Sequence, residues 1–414
     1  MKTAYLGALA FSALALGACS SDEPNDPDIP FDNPDWVLSD DITLSSVDTR
    51  NIAALSDFND KLLSGVAQNS LDGSFCVSPL SVSIYLGMIA NSSQGEVQQQ
   101  IINALNCSNL DEFNSLSTRL LQYLPSSKNG AVTHIANHVW VADRYSVPES
   151  YVSTMADIFN AGVDHVDFSK DRTFININNW ASDNTEGLIK TLFEKNMWPG
   201  LRNTPLVCAN AVYFKGSWDK EFDKKETKNE TFHAPGGDIT TPMMHKSSSF
   251  SYAASDNAQM VSLDYKNKNT VCEIYLPAEG TDVRDITKII NENERAALRA
   301  SVNNRYIELS MPSFEMAGSM IIDDVLKNLG ITDMDHTDLS PMGINEKRKI
   351  DTMHKVVVKV DEEGTEMAGV TYGTEMLIDS GNFKMVVNRP FMFVIRNKAT
   401  QTVLMAGVVT NPKN

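Results

Sequence analysis

The most constraining stretch of this chain lies near its end, where strand-forming blocks flank a long segment with few bulky apolar residues and a long proline-free run. HKVVVKV (354–360) is a strand-like run rich in β-branched valine. MVVN (385–388), PFMFVIRN (390–397) and TVLMAGVVT (402–410) are almost wholly strand-forming. From Asp361 about twenty residues carry few bulky apolar side chains, which is too long for a hairpin turn. Thr365 to Ile378 contains no proline. Ordinary surface loops are punctuated by Pro, Asn and Asp, whereas a segment that must sometimes become a central strand cannot accept proline, which lacks the ladder donor. As a strand, Thr365, Met367, Gly369, Thr371 and Gly373 would share one uncharged face. Glu366, Ala368, Val370, Tyr372 and Thr374 would share the other. Gly364 precedes them as a pivot. Composition alone leaves two readings open, a solvated loop and a strand not yet inserted.

The rest of the chain sets the frame. At 414 residues and 42% apolar content it can bury one large core or two smaller ones. Ile52, Leu55, Phe58, Leu62 and Val66 recur at helical spacing, which predicts a helix over 51–68. Helical patterns dominate to about residue 200. Strand-like runs follow: LVCANAVYF (206–214), VCEIYLP (271–277) and YIELSMP (306–312). No repeat or Gly/Ser linker interrupts 51–414, so the reading is one α+β domain with helices early and large sheets late. Cys76, Cys208 and Cys272 sit in apolar runs and read as buried thiols. With Cys107 they allow three disulfide connectivities, and the sequence does not choose among them.

The first residues read as a targeting segment rather than fold. Lys2 supplies a positive start, residues 5–16 are almost all apolar or small, and the stretch ends in Leu16-Gly17-Ala18-Cys19. The apolar run is too short to span a bilayer as a helix. The tetrapeptide resembles a bacterial lipobox, which implies a signal peptide over 1–18 and a lipid on Cys19. An ordinary signal peptide with an incidental Cys is the alternative. Ser20 to Asp41 holds four prolines and eight Asp or Glu, and no Lys or Arg falls between Lys2 and Arg50. That composition predicts an extended acidic tether over 19–50. It also resembles the surface-export signal of Bacteroidetes lipoproteins, which places the protein on the outer membrane, exposed at the cell surface.

Several function classes are disfavoured. A formal charge of −18 without a cationic run argues against nucleic acid. There is no GxSxG, phosphate loop or GxGxxG. His134 and His138 have the spacing of helical metal ligands, but HIANH lacks the glutamate of HExxH and lies in a strand-like run. The remaining histidines are scattered. Neither catalytic residues, a metal nor a cofactor is expected.

The ordered motifs of the chain resemble the serpin family. DEEGTEMAG (361–369) is similar to the family's hinge, comprising Glu363, Gly364, Thr365, Glu366, Met367, Ala368 and Gly369. NAVYFKGSW (210–218) resembles the block around its breach tryptophan, here Trp218. FCVSPLSVSIYLGMIANSSQGE (75–96) resembles its shutter helix, with Ser78 and Ser81. TFHAP, PMM, KNLGITDMD, DLS, MHKVVVKV and the closing NRPFMFVIRN and MAGVVTNP follow in family order across 51–414.

The resemblance implies a serpin fold and a suicide inhibitor of serine peptidases, extending to cysteine peptidases, that acts as a monomer. The partner peptidase cleaves an exposed loop over about 361–383. The cut loop then enters the main sheet while the acyl-enzyme persists. Gly364 and Thr365 would start that insertion, over a shutter of Ser78, Ser81, Asn210 and His354. Met367 departs from the family's usual alanine, and a larger inward side chain slows insertion. Counting fifteen residues from Gly364 places the reactive bond at Ile378–Asp379, with Leu377 or Met376 as alternative residues before the cut. All three are apolar, and no Lys or Arg lies between Lys359 and Lys384. The implied targets are therefore elastase-, chymotrypsin- or subtilisin-like enzymes. A non-inhibitory serpin and an unrelated surface binding protein are the competing classes.

Overall fold

Runs of β-branched and aromatic residues that are apolar on both faces bury both faces. Strands β8 (Thr270–Pro277) and β17 (Val403–Val409) are buried at every position. Strand β13 (Met353–Val360) alternates instead, burying His354, Val356, Val358 and Val360. The computed structural model describes residues 33, 35–70, 74–350, 353–365 and 383–413.

The larger helices come early: α1 (Ser46–Asn69), α2 (Pro79–Ser92), α3 (Glu96–Ala104), α4 (Leu110–Tyr123), α5 (Glu149–Phe159) and α6 (Asp171–Asp183). The other strands are β1 (Phe75–Val77), β2 (Ala131–Ala142), β3 (Ala161–Val166), β4 (Leu206–Ser217), β5 (Lys228–Ala234), β6 (Gly237–Ala254), β7 (Ala258–Asp264), β9 (Asn303–Pro312) and β10 (Phe314–Ile321). A ribbon of β11 (Thr337–Asp338) and β12 (Lys347–Arg348) follows, then β14 (Gly364–Thr365), β15 (Phe383–Val386) and β16 (Phe391–Asn397). One sheet runs β1-β17-β16-β8-β7-β6-β9-β15, with β5 on β6. A second, six-stranded sheet runs β10-β13-β14-β4-β2-β3. This is the α+β architecture expected from the sequence, with the larger helices early and large sheets late.

Two expectations need correction. The helical first half also contains β2 and β3, which pair in parallel from Asn137↔Ala161 to Ala142↔Val166. β2 contains the strand-like run around HIANH, whereas β3 is six residues set between two helices. The acidic tether does not run to residue 50. Asn33 Nδ2 donates to Ala156 O (3.2 Å), Ser39 N to Gln122 O (2.8 Å), and Asp40 pairs with Lys128 (2.5 Å). Trp36 and Ile42 pack against the main core. Helix α1 then starts at Ser46, five residues before the expected domain start. Ser45 Oγ accepts from Asp48 N (3.1 Å) and Asp48 Oδ2 accepts from Ser45 N (2.8 Å), a reciprocal cap. Asp48 is buried and bonded to Arg119 (2.8 Å), so this acid belongs to the body.

The four cysteines among the described residues are free thiols. Cys76, Cys107 and Cys272 are buried and Cys208 is half-buried. HIANH lies in β2, where His138 stacks on Trp140 (4.4 Å between centroids) and meets Asp164 (3.0 Å).

The two sheets meet at β1, which leads directly into α2. Cys76 pairs with Gly407 on β17, and a Cβ at Gly407 would stand 2.2 Å from Phe75 O and 2.9 Å from Cys76 Cα. Both contacts are backbone and have little room to yield. Gly407→Ala is expected to destabilise the native protein by about 2–3 kcal/mol through overpacking. Chemical denaturation checks this, and an unchanged midpoint contradicts the close approach.

Candidate functional site

Strand β14 is only two residues long, yet it separates two long strands. Thr365 pairs with Val360 of β13 on one side and Gly216 of β4 on the other, and Gly364 pairs with Ser217. Among the described residues, β13 and β4 join only through β14. The turn between β13 and β14 is built by Asp361. Its N–H donates to Gly364 O (2.9 Å), and its Oδ1 accepts from the N–H groups of Glu363 (3.0 Å) and Gly364 (3.3 Å). Burial raises the Asp361 carboxyl above its ordinary value, opposed by those two backbone donors.

The chain after β4 grips this turn from outside. Trp218 N donates to Glu363 O (3.0 Å), Trp218 Nε1 to Asp361 O (2.9 Å) and Phe222 N to Glu362 O (2.8 Å). Thr227 Oγ1 donates to Glu362 Oε1 (2.6 Å), and Lys224 pairs with Glu363 (2.5 Å). The Lys224 end of that pair is exposed to solvent, which screens it. A Cβ at Gly364 would stand 2.0 Å from Gly216 O, so only glycine lets the turn deliver residue 365 between the strands.

Thr365 is 2% exposed and points inward, as its place on the uncharged face implied. The expected exposed loop therefore does not begin at Asp361. Residues 361–365 form a seated turn and a first ladder rung, because Asp361 and Trp218 satisfy backbone groups that a loop would leave to water. Glu366, Met367, Ala368 and Gly369, the reactive-bond positions Met376, Leu377, Ile378 and Asp379, and Cys19 lie outside the described residues.

A second cluster lies under the far end of β13 and β4. Ser78 caps α2: its Oγ accepts from Ser81 N (3.2 Å), with Pro79 in the first turn. Ser78 N donates to His354 Nε2 (3.0 Å). That bond needs a lone pair on Nε2 and so fixes the neutral Nδ1–H tautomer. Burial depresses His354 from 6.5 to about 4. Asn210 turns the other way: its Nδ2 donates to Asn137 Oδ1 (2.6 Å), whose own amide donates to Phe159 O (2.6 Å). Ser81, Asn210 and His354 border one cavity of about 260 Å³ with Trp180, Phe193 and Ile350. The structure thus brings Ser78, Ser81, Asn210 and His354 together, and sets Trp218 at the opposite end beside the hinge.

Sequence reasoning missed Tyr265 and the cap made by Asp361. Tyr265 lies 100 residues from Thr365, yet its Oη is 2.6 Å from Thr365 Oγ1. No local pattern announces such a contact.

A family profile described as serine protease inhibitor matches residues 53–412. The chain belongs to the serpin family. Human neuroserpin (Homo sapiens) is 28% identical over 377 residues, spanning 87% of this chain and 91% of the relative. Iripin-8 of Ixodes ricinus is 30% identical over 356 residues, 80% and 87% of the two chains. The crystal structure of native protease nexin-1 with heparin aligns at a TM-score of 0.80 and 23% identity, covering 88% of this serpin and 100% of that chain, a likeness of fold. Serpins are generally protease inhibitors rather than enzymes.

The depressed His354 value gives a signed prediction. Above pH 6.5 the folded and unfolded chains both hold a neutral imidazole, so stability there is unaffected by this group. As pH falls from 6.5 toward about 4, the unfolded chain binds a proton that the folded chain refuses. Native stability should therefore decline by about 3 kcal/mol across that window. In His354→Gln, whose amide oxygen can still accept from Ser78, most of that slope should vanish. Denaturation midpoints measured between pH 4.5 and 7.5 decide it, and identical slopes in both proteins reject the assignment.

Proposed function

We propose that this serpin is a suicide-type inhibitor of elastase-, chymotrypsin- or subtilisin-like peptidases, held at the outer face of a bacterial outer membrane by a lipid on Cys19. The observation that carries the inhibitory reading is the position of Gly364–Thr365 between β13 and β4. A peptidase serine attacks the carbonyl of Ile378, and the amine of Asp379 leaves after taking a proton from the enzyme's general acid. An acyl-enzyme ester remains. Strand formation then runs on from Thr365 between β13 and β4. The fourteen residues Thr365–Ile378, at roughly 3.3 Å each, carry the bound enzyme about 45 Å. Capture succeeds when insertion outruns hydrolysis of the ester.

The hinge chemistry supports this reading. Position 365 is buried beside a phenol, and the small hydroxyl of Thr365 suits it. A charge there would enter the sheet unpaired. The apolar residues 376–378 suit a hydrophobic primary pocket, whereas a pocket with a buried carboxylate would be left unpaired. The anchoring reading rests on the lipobox-like Leu16-Gly17-Ala18-Cys19 and the acidic residues after it.

The purified protein mixed with an elastase-like peptidase should give an SDS-stable complex. The released fragment should begin at Asp379, or one or two residues earlier. Loop-cleaved protein should melt well above intact protein. Thr365→Arg should still be cut in the loop but lose at least about 100-fold in complex formed, the discrimination expected for a buried unpaired charge. No complex and no gain in melting temperature after cleavage would leave the non-inhibitory serpin or surface-binding reading. Rapid trapping of trypsin would overturn the specificity.

Anchoring has its own test. Wild-type protein should fractionate with the outer membrane and be reached by antibody on intact cells, while Cys19→Ala should be soluble. Membrane partitioning that survives the substitution refutes the lipid assignment.

A further inference from the structure

Tyr265, buried beside the hinge, is held on several sides. Its ring stacks on Trp218 (4.5 Å between centroids, 19° between planes) and meets Phe214 edge-on (4.8 Å). It occupies the space a side chain at residue 216 would need, since a Cβ at Gly216 would fall 2.6 Å from Tyr265 Cδ1. Tyr265 N donates to Thr270 O (3.2 Å), and a bridge pairs residue 265 with Trp218. These contacts leave the ring little freedom and direct its hydroxyl at Thr365 Oγ1, 2.6 Å away, with both residues buried.

Such a bond reports register. Thr365 Oγ1 reaches the phenol only while residue 365 stands opposite Val360 and Gly216. A side chain without a hydroxyl at 365 would leave the phenol without this partner, and a larger one would meet a ring that cannot yield. Strand growth resembles other ladder formation in that the first rung carries most of the ordering cost and later rungs add to it.

We propose that Tyr265 is a positioning residue that recognises the hydroxyl of Thr365 and holds the hinge in the sheet as a formed nucleus for insertion. This rests on the proposed reading of Gly364–Thr365 as the start of insertion. Its consequence is a bias in the race between insertion and ester hydrolysis. With the first rung already closed, growth starts at Glu366 rather than at the search for register.

The test has two arms, using full-length Tyr265→Phe, Thr365→Val, Thr365→Ser and the Phe/Val double variant. Hydrogen exchange in the intact protein reads the amides of Glu363 to Thr365. Exchange there should quicken about tenfold in Tyr265→Phe and in Thr365→Val, the scale of one lost buried hydrogen bond. Thr365→Ser should stay at the wild-type rate. The double variant should lie within about threefold of either single variant, because Phe against Val leaves no hydroxyl unpaired. Unchanged exchange in Tyr265→Phe, or additive effects in the double variant, overturns the positioning role. The second arm measures how many inhibitor molecules are consumed per elastase-like peptidase trapped. That number should rise several-fold in Tyr265→Phe and Thr365→Val and remain at the wild-type value in Thr365→Ser. Faster exchange with unchanged consumption overturns the link to trapping. A wild type that traps nothing defeats the proposed function instead, and the exchange arm then decides the positioning role alone.

Discussion

Gly216 O stands 2.0 Å from the point a Cβ on residue 364 would occupy. That backbone contact is the constraint on which the arrangement around the hinge depends. Two strands that must admit a third need a place where the entering chain comes within reach of both ladders at once. Only glycine permits the approach on the β4 side, and the Asp361 turn brings the chain back antiparallel to β13 within four residues. Trp218 then has a structural task that its aromatic bulk alone does not explain. It donates from both its backbone and its indole nitrogen to carbonyls of the turn. Those carbonyls would otherwise need water at a half-buried position.

The opposite end of the same strands is built on other physics. Ser78, Ser81, Asn137, Asn210 and His354 are polar groups in a region where apolar residues would pack more tightly. Several are held by a single bond, and Asn210 Oδ1 is buried without a partner. A buried polar group with one strong bond loses little by exchanging that partner for another, whereas an interlocked apolar layer must unpack to let a strand pass. On the proposed mechanism this is the useful property, because the lower halves of β4 and β13 have to part when the loop arrives. The neutral His354 suits it too, since a charged imidazole could not accept from Ser78 N.

Much of this was legible because strands of this kind advertise themselves. LVCANAVYF, VCEIYLP, YIELSMP and HKVVVKV became β4, β8, β9 and β13, the last with the burial alternation its valines imply. The proline-free segment and the inward face of Thr365 could also be reasoned out, since both follow from ladder chemistry. What escaped was non-local. The Tyr265 hydroxyl, the second indole bond of Trp218 and the turn of Asn210 toward Asn137 join residues far apart in sequence, and periodicity carries no information about them. The start of the domain escaped for another reason. Acid-rich composition suggested solvent, but Asp48 is an acid buried by a cap and by Arg119.

That last point changes what the proposed anchor can do. A tether free to residue 50 would offer 31 residues beyond Cys19, about 100 Å of contour. With Asn33 bonded to Ala156 and Asp40 to Lys128, the sequence between Cys19 and Asn33 is 13 residues, at most about 45 Å of contour. On the proposed anchoring, the body would then sit within that distance of the bilayer. An incoming peptidase must approach along the membrane or from above it, and after capture it travels a distance comparable to the leash itself. A short leash would, on the same proposal, also raise the local concentration of the protein at the membrane surface. If Cys19 is the anchor as proposed, the packing of residues 33 and 35–50 against the body would couple where the protein is held to which enzymes reach its loop.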